Sequence, residues 1–172
     1  MAGGEGSVMK RLGKTWLAWL GLWVVSLGSA WAEPAHPHVP PADNLAADAQ
    51  VAADLGVPIV LVVTRDGCEY CELLKSAVVV PMIISGEYED RALIREIMID
   101  GGREVVDFEG RTVSPFSVAD NYDALLAPTV LLVGPDGSEV AKRLIGINNV
   151  DMYLWYLERA LDQGQAAIAD GQ

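Results

Sequence analysis

Residues 59–77 read Ile59-Val60-Leu61-Val62-Val63-Thr64-Arg65-Asp66-Gly67-Cys68-Glu69-Tyr70-Cys71-Glu72-Leu73-Leu74-Lys75-Ser76-Ala77. The first six are β-branched residues or leucine, with no polar alternation. They predict a strand buried on both faces, because a helix so short and so β-branched would be poor. Arg65-Asp66-Gly67 breaks the run as a turn. Residues 72–77 continue as a helix, and Pro81 is expected to kink or end it. Two cysteines separated by two residues therefore stand where a buried strand hands over to a helix.

That junction suits thiol chemistry. A helix N-terminus presents unpaired backbone N–H groups and the positive end of the helix dipole. Both stabilise a thiolate, the attacking species in disulfide exchange. Cys68 precedes the helix body and is expected to be the exposed nucleophile. Cys71 falls in the first turn and is expected to be shielded, close enough to resolve a mixed disulfide on Cys68. Other readings compete. Half a zinc site would need two further ligands. A c-type haem attachment needs His after Cys71, where the chain has Glu72. A static disulfide across so short a loop constrains the unfolded chain little.

Working outward, Asp43 or Asn44 can cap a helix that runs to about Leu55, with Leu45, Ala49, Ala52 and Leu55 at helical spacing and Gly56 as its stop. A second helical piece is expected over residues 86–91, its charges Glu87, Glu89, Asp90 and Arg91 forming a solvated face. Residues 93–99 predict the next strand, ended by Asp100-Gly101-Gly102. Residues 105–108 and 111–113 form a small hairpin or an irregular insertion. A short helix is expected over 117–126, then a strand from Pro128 to Val133. Pro135-Asp136-Gly137 is a tight turn into a strand over 139–144. A last helix starts near Asn149, buries Val150, Tyr153, Leu154, Leu157 and Leu161, and frays after Gln163. Trp155 on that helix is read as packing. The order predicts an α/β fold: a mixed central sheet of four to five strands with helices on both faces.

The chain has 172 residues, 12 Lys+Arg against 24 Asp+Glu and a formal net charge of −12. That balance argues against a nucleic-acid partner, which needs cations to displace phosphate counterions. The 51% hydrophobic content excludes a disordered chain. Residues 1–32 read as a secretory signal peptide: Lys10, Arg11 and Lys14, then an apolar stretch over 16–27, then Ala30-Trp31-Ala32 as a cleavage site before Glu33. The apolar run is shorter than the ~20 residues of a spanning helix. Met9 is an alternative start. Cleavage removes three cations (Lys10, Arg11, Lys14) and one anion (Glu5), leaving 9 cations, 23 anions and a net charge of −14. The mature protein is then periplasmic or secreted, with neutral or basic partners. Residues 33–43, with Pro34, Pro37, Pro40 and Pro41, are expected to form an extended tether before a domain over 44–165 and a frayed tail over 166–172. His36 and His38 lie in the tether, and no metal site is assigned to them.

On these motifs the chain resembles the thioredoxin superfamily over about residues 44–163. The resemblance rests on the strand over 59–64, Cys68-Glu69-Tyr70-Cys71, Ala127-Pro128-Thr129 before a strand, and the Pro135-Asp136-Gly137 hairpin with its closing helix. The long separation of Cys71 from Pro128 is similar to exported, thioredoxin-like members, those of sulfur oxidation and periplasmic thiol reduction being nearest. It implies a protein-disulfide oxidoreductase with Cys68 and Cys71 catalytic, Pro128 cis, and Ala127, Pro128 and Tyr70 at the substrate. Gly67 and Glu69 would tune the couple. No organic cofactor is implied. The partners would be disulfide-containing proteins and a thiol electron donor, membrane-bound, with this chain a monomer. Three departures stand out. The family's buried acid would fall at Val62, the usual Trp before the motif is Gly67, and the spacer is Glu-Tyr. Asp66, Glu69 and Glu72 disfavour a thiolate on Cys68 by like charge, which favours a reducing couple. An oxidant or isomerase, or a copper- or zinc-handling protein using the two cysteines, are the alternatives.

Overall fold

Ile59–Thr64 forms strand β1, buried at all six positions, as the unalternating run requires. In the computed structural model, which describes residues 38–171, β1 lies inside a four-stranded sheet ordered β2-β1-β5-β6. The expected signal peptide and His36 lie outside the described residues. Strand β2 (Leu93–Met98) runs parallel to β1, with Ile59 opposite Leu93 and Thr64 opposite Met98. Strand β5 (Thr129–Val133) runs antiparallel on the other side, with Val63 opposite Thr129. Strand β6 (Leu144–Ile145) closes that edge. A separate hairpin joins β3 (Val105–Val106) and β4 (Thr112–Val113).

Alternate residues of the strands build two cores. On one face Val60, Val62, Val130, Leu132 and Ile94 meet the helical segment 69–85 and helix α5 (Val150–Asp170) through Leu74, Val78, Leu157 and Leu161. On the other, Leu61, Val63, Leu131, Val133 and Ile97 meet Leu45 of α1 (Leu45–Leu55) and Val118 and Ala119 of α4 (Pro115–Asn121). The sheet is thus mixed, with helices on both faces, as predicted.

The segment after Cys68 is one continuous helix made of α2 (Glu69–Leu74), a π-helical turn (Lys75–Val79) and α3 (Val80–Ser85). Pro81 was expected to kink or end the helix, and the wide turn is how the chain absorbs it. Proline has no N–H and its ring collides with the carbonyl four residues back. Widening to an i→i−5 bond, Val80 N–H to Lys75 O, relieves the crowding and lets the helix continue.

Several expectations change. Residues 87–91 are turns rather than a helix, because Tyr88 is buried and its Oη donates to Glu158 at 2.8 Å. Burial and that bond push the Tyr88 phenol up to about 12. Helix α4 starts at Pro115 and stops at Asn121, two residues earlier and five residues earlier than the predicted bounds, with Ser114 as its cap. The predicted strand over 139–144 is reduced to a bridge from Glu139 to Val133 and the two residues of β6. Between them Arg143 turns its guanidinium onto Glu139 and onto the Tyr122 carbonyl. Helix α5 runs to Asp170 instead of fraying after Gln163, since Gly164 and Ile168 extend its buried stripe. At Gly164 an added Cβ would lie 3.2 Å from Val140 Cγ2, a tight contact that would make the valine side chain shift. Leu154 and Leu55, expected to pack, are exposed, and so is Trp155, whose ring meets Tyr156 edge-on and lies under Arg159.

The end of the expected tether is also part of the fold. Val39 and Ala42 are buried, and Pro40 O and Ala42 N–H bond both backbone groups of Glu96 at 2.8 Å. The strand edge of β2 offers unpaired donors and acceptors, and this proline-rich segment covers them.

The β3–β4 hairpin is pinned by Asp107. Its Oδ1 accepts from the backbone N–H groups of Glu109 (3.1 Å) and Arg111 (2.8 Å), and its Oδ2 accepts from Arg111 Nε at 2.8 Å. Burial alone would raise the carboxyl, but these bonds outweigh it and hold the group below its ordinary value. A depressed folded-state value means the stabilisation is complete above the unfolded value. It is lost as pH falls through the folded one. We expect the protection factors of the Glu109 and Arg111 amides to fall selectively below about pH 4. Asp107→Asn should abolish that pH dependence in hydrogen exchange; an unchanged dependence would contradict the assignment.

Candidate active site

Gly67 sits at φ +64 with open space where a side chain would be, so its backbone conformation is what makes glycine suitable there. The turn it closes delivers Cys68 to the N-cap of α2. The loop is braced from the turn after β2: Asp66 N–H donates to Asp100 Oδ1 at 3.0 Å, and Arg65 Nε lies 3.9 Å from Asp100 Oδ2.

Cys68 has extended backbone angles, φ −89 and ψ 101, and its Sγ accepts the Cys71 N–H at 3.2 Å. The two cysteines form a disulfide, with Cα atoms 5.2 Å apart. Cys68 is partly exposed and Cys71 is fully buried, the asymmetry expected from their helix positions. Tyr70 is 63% exposed on the first turn, and Glu69 is exposed beside it.

Antiparallel pairing of β1 and β5 brings the start of β5 to the end of β1, and with it Ala127 and Pro128 to the same end of the sheet as the cysteine loop. The Ala127–Pro128 peptide is cis, as the resemblance implied. Pro128 is buried and Ala127 half-buried. The Pro128 carbonyl accepts from Gly146 N–H at 2.8 Å, and Thr129 Oγ1 donates to Leu126 O at 2.6 Å. Two apolar residues at this end escaped the sequence reading: Leu126, 69% exposed, and Ile145, which pairs with Thr129. Nothing in an apolar residue beside a strand signals that it will stay outside.

Of the three acids expected to crowd Cys68, Glu72 is paired with Lys75 Nζ at 2.8 Å. Lys75 also bonds Glu96 at 3.1 Å, and Glu96 accepts from Thr64 Oγ1 at 2.8 Å. Burial would lower the Lys75 pKa, but the two carboxylates outweigh it and hold the value above the ordinary one. Val62, where the family's acid would fall, is apolar and fully buried. The sequence reading missed this cluster, although Glu96 interrupts the apolar pattern of β2. Among the described residues no group of three or more His, Cys, Asp or Glu side chains is arranged to hold a metal ion.

The fold and the cysteine pair define a thioredoxin-like class. The family model described as a thioredoxin-like domain matches residues 45–161, and the chain belongs to that family. No curated protein matches the chain. Among solved structures it is similar to thioredoxin O2 from Arabidopsis thaliana in its oxidized state, at 19% identity and a TM-score of 0.49, covering 72% of this chain and 94% of that one. It is also similar to the oxidised C-terminal domain of DsbD from Neisseria meningitidis (19%, TM-score 0.44, covering 67% and 89%). A third is the reduced periplasmic thioredoxin SoxS from Paracoccus pantotrophus (20%, TM-score 0.42, covering 62% and 97%). Family membership together with the Cys68–Cys71 disulfide supports thiol–disulfide oxidoreductase chemistry.

Proposed function

We propose that this chain is an exported thiol–disulfide oxidoreductase that reduces disulfides in partner proteins. The observation that carries this is the asymmetry of the cysteine pair: Cys68 partly exposed at a helix N-cap, bonded to a fully buried Cys71. In the reduced protein the Cys68 thiolate attacks a partner disulfide, forming a mixed disulfide and releasing one partner thiolate. Cys71 then attacks Cys68 Sγ, the second partner sulfur leaves, and the Cys68–Cys71 disulfide remains. Two electrons pass to the partner, and a second thiol protein, membrane-bound, must return them. Ala127 and Pro128 position the partner's chain beside Cys68. Tyr70, Leu126 and Ile145 offer it apolar contact.

The reducing direction is favoured by Asp66 and Glu69, exposed beside Cys68, because like charge disfavours a resting thiolate. A couple whose reduced form is less stabilised gives up its electrons more readily. Export rests on the signal-peptide pattern of residues 1–32, and the net charge of −14 after its removal selects neutral or basic partners that a monomer meets singly.

The test is the reduction potential of the couple, equilibrated against thiol buffers of known poise. We expect a value near about −270 mV, as in a thioredoxin-type reductant. A value near about −120 mV would reverse the proposed electron flow. Absence of a reversible couple would overturn the enzymatic reading.

A further inference from the structure

Beneath the helix that carries Cys71 lies a charged pair that disulfide exchange as described leaves unassigned. Glu96 Oε1 lies 3.1 Å from Lys75 Nζ and 2.8 Å from Thr64 Oγ1. The two charged side chains are only 14% and 17% exposed. Desolvating such a pair is costly, and an apolar pair of similar volume often serves a core as well. The core on this face of the sheet, with Val62, Ile94, Leu74 and Val78, is aliphatic and would accept one. The pair is therefore not explained by packing alone.

Its location points to the buried thiol. Cys71 and Lys75 are four residues apart on one helix and so share a face. Lys75 reaches down to Glu96, which stands on the sheet face that this helix covers. Val62 and Glu96 are directly paired in parallel register, so a carboxylate absent from β1 is supplied by the neighbouring strand on the same side.

The chemistry requires an acceptor there. Cys71 must lose its proton to resolve the mixed disulfide, and it has no exposed surface through which water could take it. The charged groups around this face come from several elements. Helix α2 offers Glu72, whose side chain is 70% exposed and bonded to Lys75. The cysteine loop offers Arg65 and Asp66, both exposed, near Asp100. Arg95 of β2 is turned to the opposite face, onto Asp48 of α1 at 2.7 Å. Strand β5 presents Val130 and Leu132, and α5 presents Tyr153 and Leu157, while its Glu158 is bonded to Tyr88. Glu96, with its side chain 14% exposed, is the most enclosed carboxylate of this set.

We propose that Glu96, positioned by Lys75 and Thr64, accepts the proton of Cys71 when the mixed disulfide is resolved. The S–H bond of Cys71 breaks and its proton passes to the Glu96 carboxylate. The electron pair left on Cys71 Sγ bonds to Cys68 Sγ. The bond from Cys68 Sγ to the partner sulfur breaks, and the partner leaves as a thiolate that takes a proton from water. Lys75 keeps its second partner, Glu72, so protonating Glu96 does not strand a buried cation. This inference rests on the dithiol reading above.

The test uses the reduced full chain and the chromophoric disulfide of thionitrobenzoate between pH 5 and 9. The first thionitrobenzoate released reports attack by Cys68, and the second reports resolution by Cys71. Glu96→Gln is expected to slow the second phase at least tenfold at pH 7 and raise its pH midpoint, with the first phase within twofold of wild type. Glu96→Asp is expected to restore part of the rate. A second phase with wild-type rate and midpoint in Glu96→Gln would overturn the proposal, as would equal slowing of both phases. Should Glu96→Gln fail to fold, Thr64→Val removes one bond to the carboxylate. It is expected to shift the second-phase midpoint, and an unshifted midpoint overturns the proposal. A wild-type protein with a first phase but no second would overturn this proposal and the dithiol reading together, whereas an unaffected Glu96→Gln variant overturns this one alone.

Discussion

Cys68→Ser is expected to reduce a protein disulfide no faster than the buffer thiol alone, while Cys71→Ser is expected to stop half-way with the partner covalently attached. The difference follows from where the two sulfurs sit. Cys68 caps α2, is partly exposed, and is the sulfur a partner can reach. A serine hydroxyl in its place supplies no thiolate, so the first bond never forms. Cys71 is fully buried behind it and can act only on the adduct already attached to Cys68. Removing it leaves the first step intact and blocks the second. Non-reducing electrophoresis with a disulfide-containing protein reads both outcomes, as a thiol-sensitive band in Cys71→Ser alone. Turnover by Cys71→Ser, or a stable adduct in Cys68→Ser, would exchange or abolish the roles.

The second large effect is on stability. Leu131 lies at the middle of β5, opposite Leu61 of β1, and is 0% exposed. It packs in the core shared with Leu45, Val118 and Ala119. Truncation to alanine loses the transfer free energy of the side chain. It also leaves a cavity that a strand hydrogen-bonded on both sides cannot collapse around. Leu131→Ala should therefore cost about 3–5 kcal/mol, a large share of a typical domain's ~5–15 kcal/mol. Leu55→Ala, at a side chain 53% exposed on α1, should stay within about 0.5 kcal/mol. Urea unfolding of both variants checks the pair. A loss below about 1 kcal/mol at Leu131 would mean the core relaxes more than its close packing implies. Leu131 faces away from the helix that carries the cysteines, so the folded fraction of the variant should keep the wild-type reduction potential.

These two expectations divide the molecule by sheet face. The face covered by the helix over 69–85 carries the cysteines and the Glu96–Lys75 pair. The opposite face carries the core with α1 and α4. The exposed apolar residues near the cysteines, Tyr70, Leu126 and Ile145, stand at the end of the sheet where β1 ends and β5 begins.

The stretch over 59–77 was sufficient to place the buried strand, the turn and the cysteine pair, because each depends on local chemistry. An unbroken apolar β-branched run has one good burial solution. A glycine turn has few backbone options, and the residue before a helix body is exposed by geometry. The pairing of β1 with β2 and β5, and hence the meeting of Pro128 with the cysteine end, followed from element order together with the family resemblance. Local pattern failed where a distant residue decided the outcome. Tyr88 is drawn inside by Glu158, and the strand over 139–144 is broken by Arg143 reaching Tyr122. The segment around residues 39–42 is bonded to the backbone of Glu96, and α5 continues past Gln163 with Gly164 packed near Val140 and Pro58. Most tellingly, the family resemblance marks Val62 as the place of an absent acid and the sequence shows a charge in β2 at Glu96, but not that the two are neighbours. Strand register is a property of the assembled sheet, so only the tertiary structure could put that carboxylate beside Val62, against Lys75 of the helix that carries Cys71.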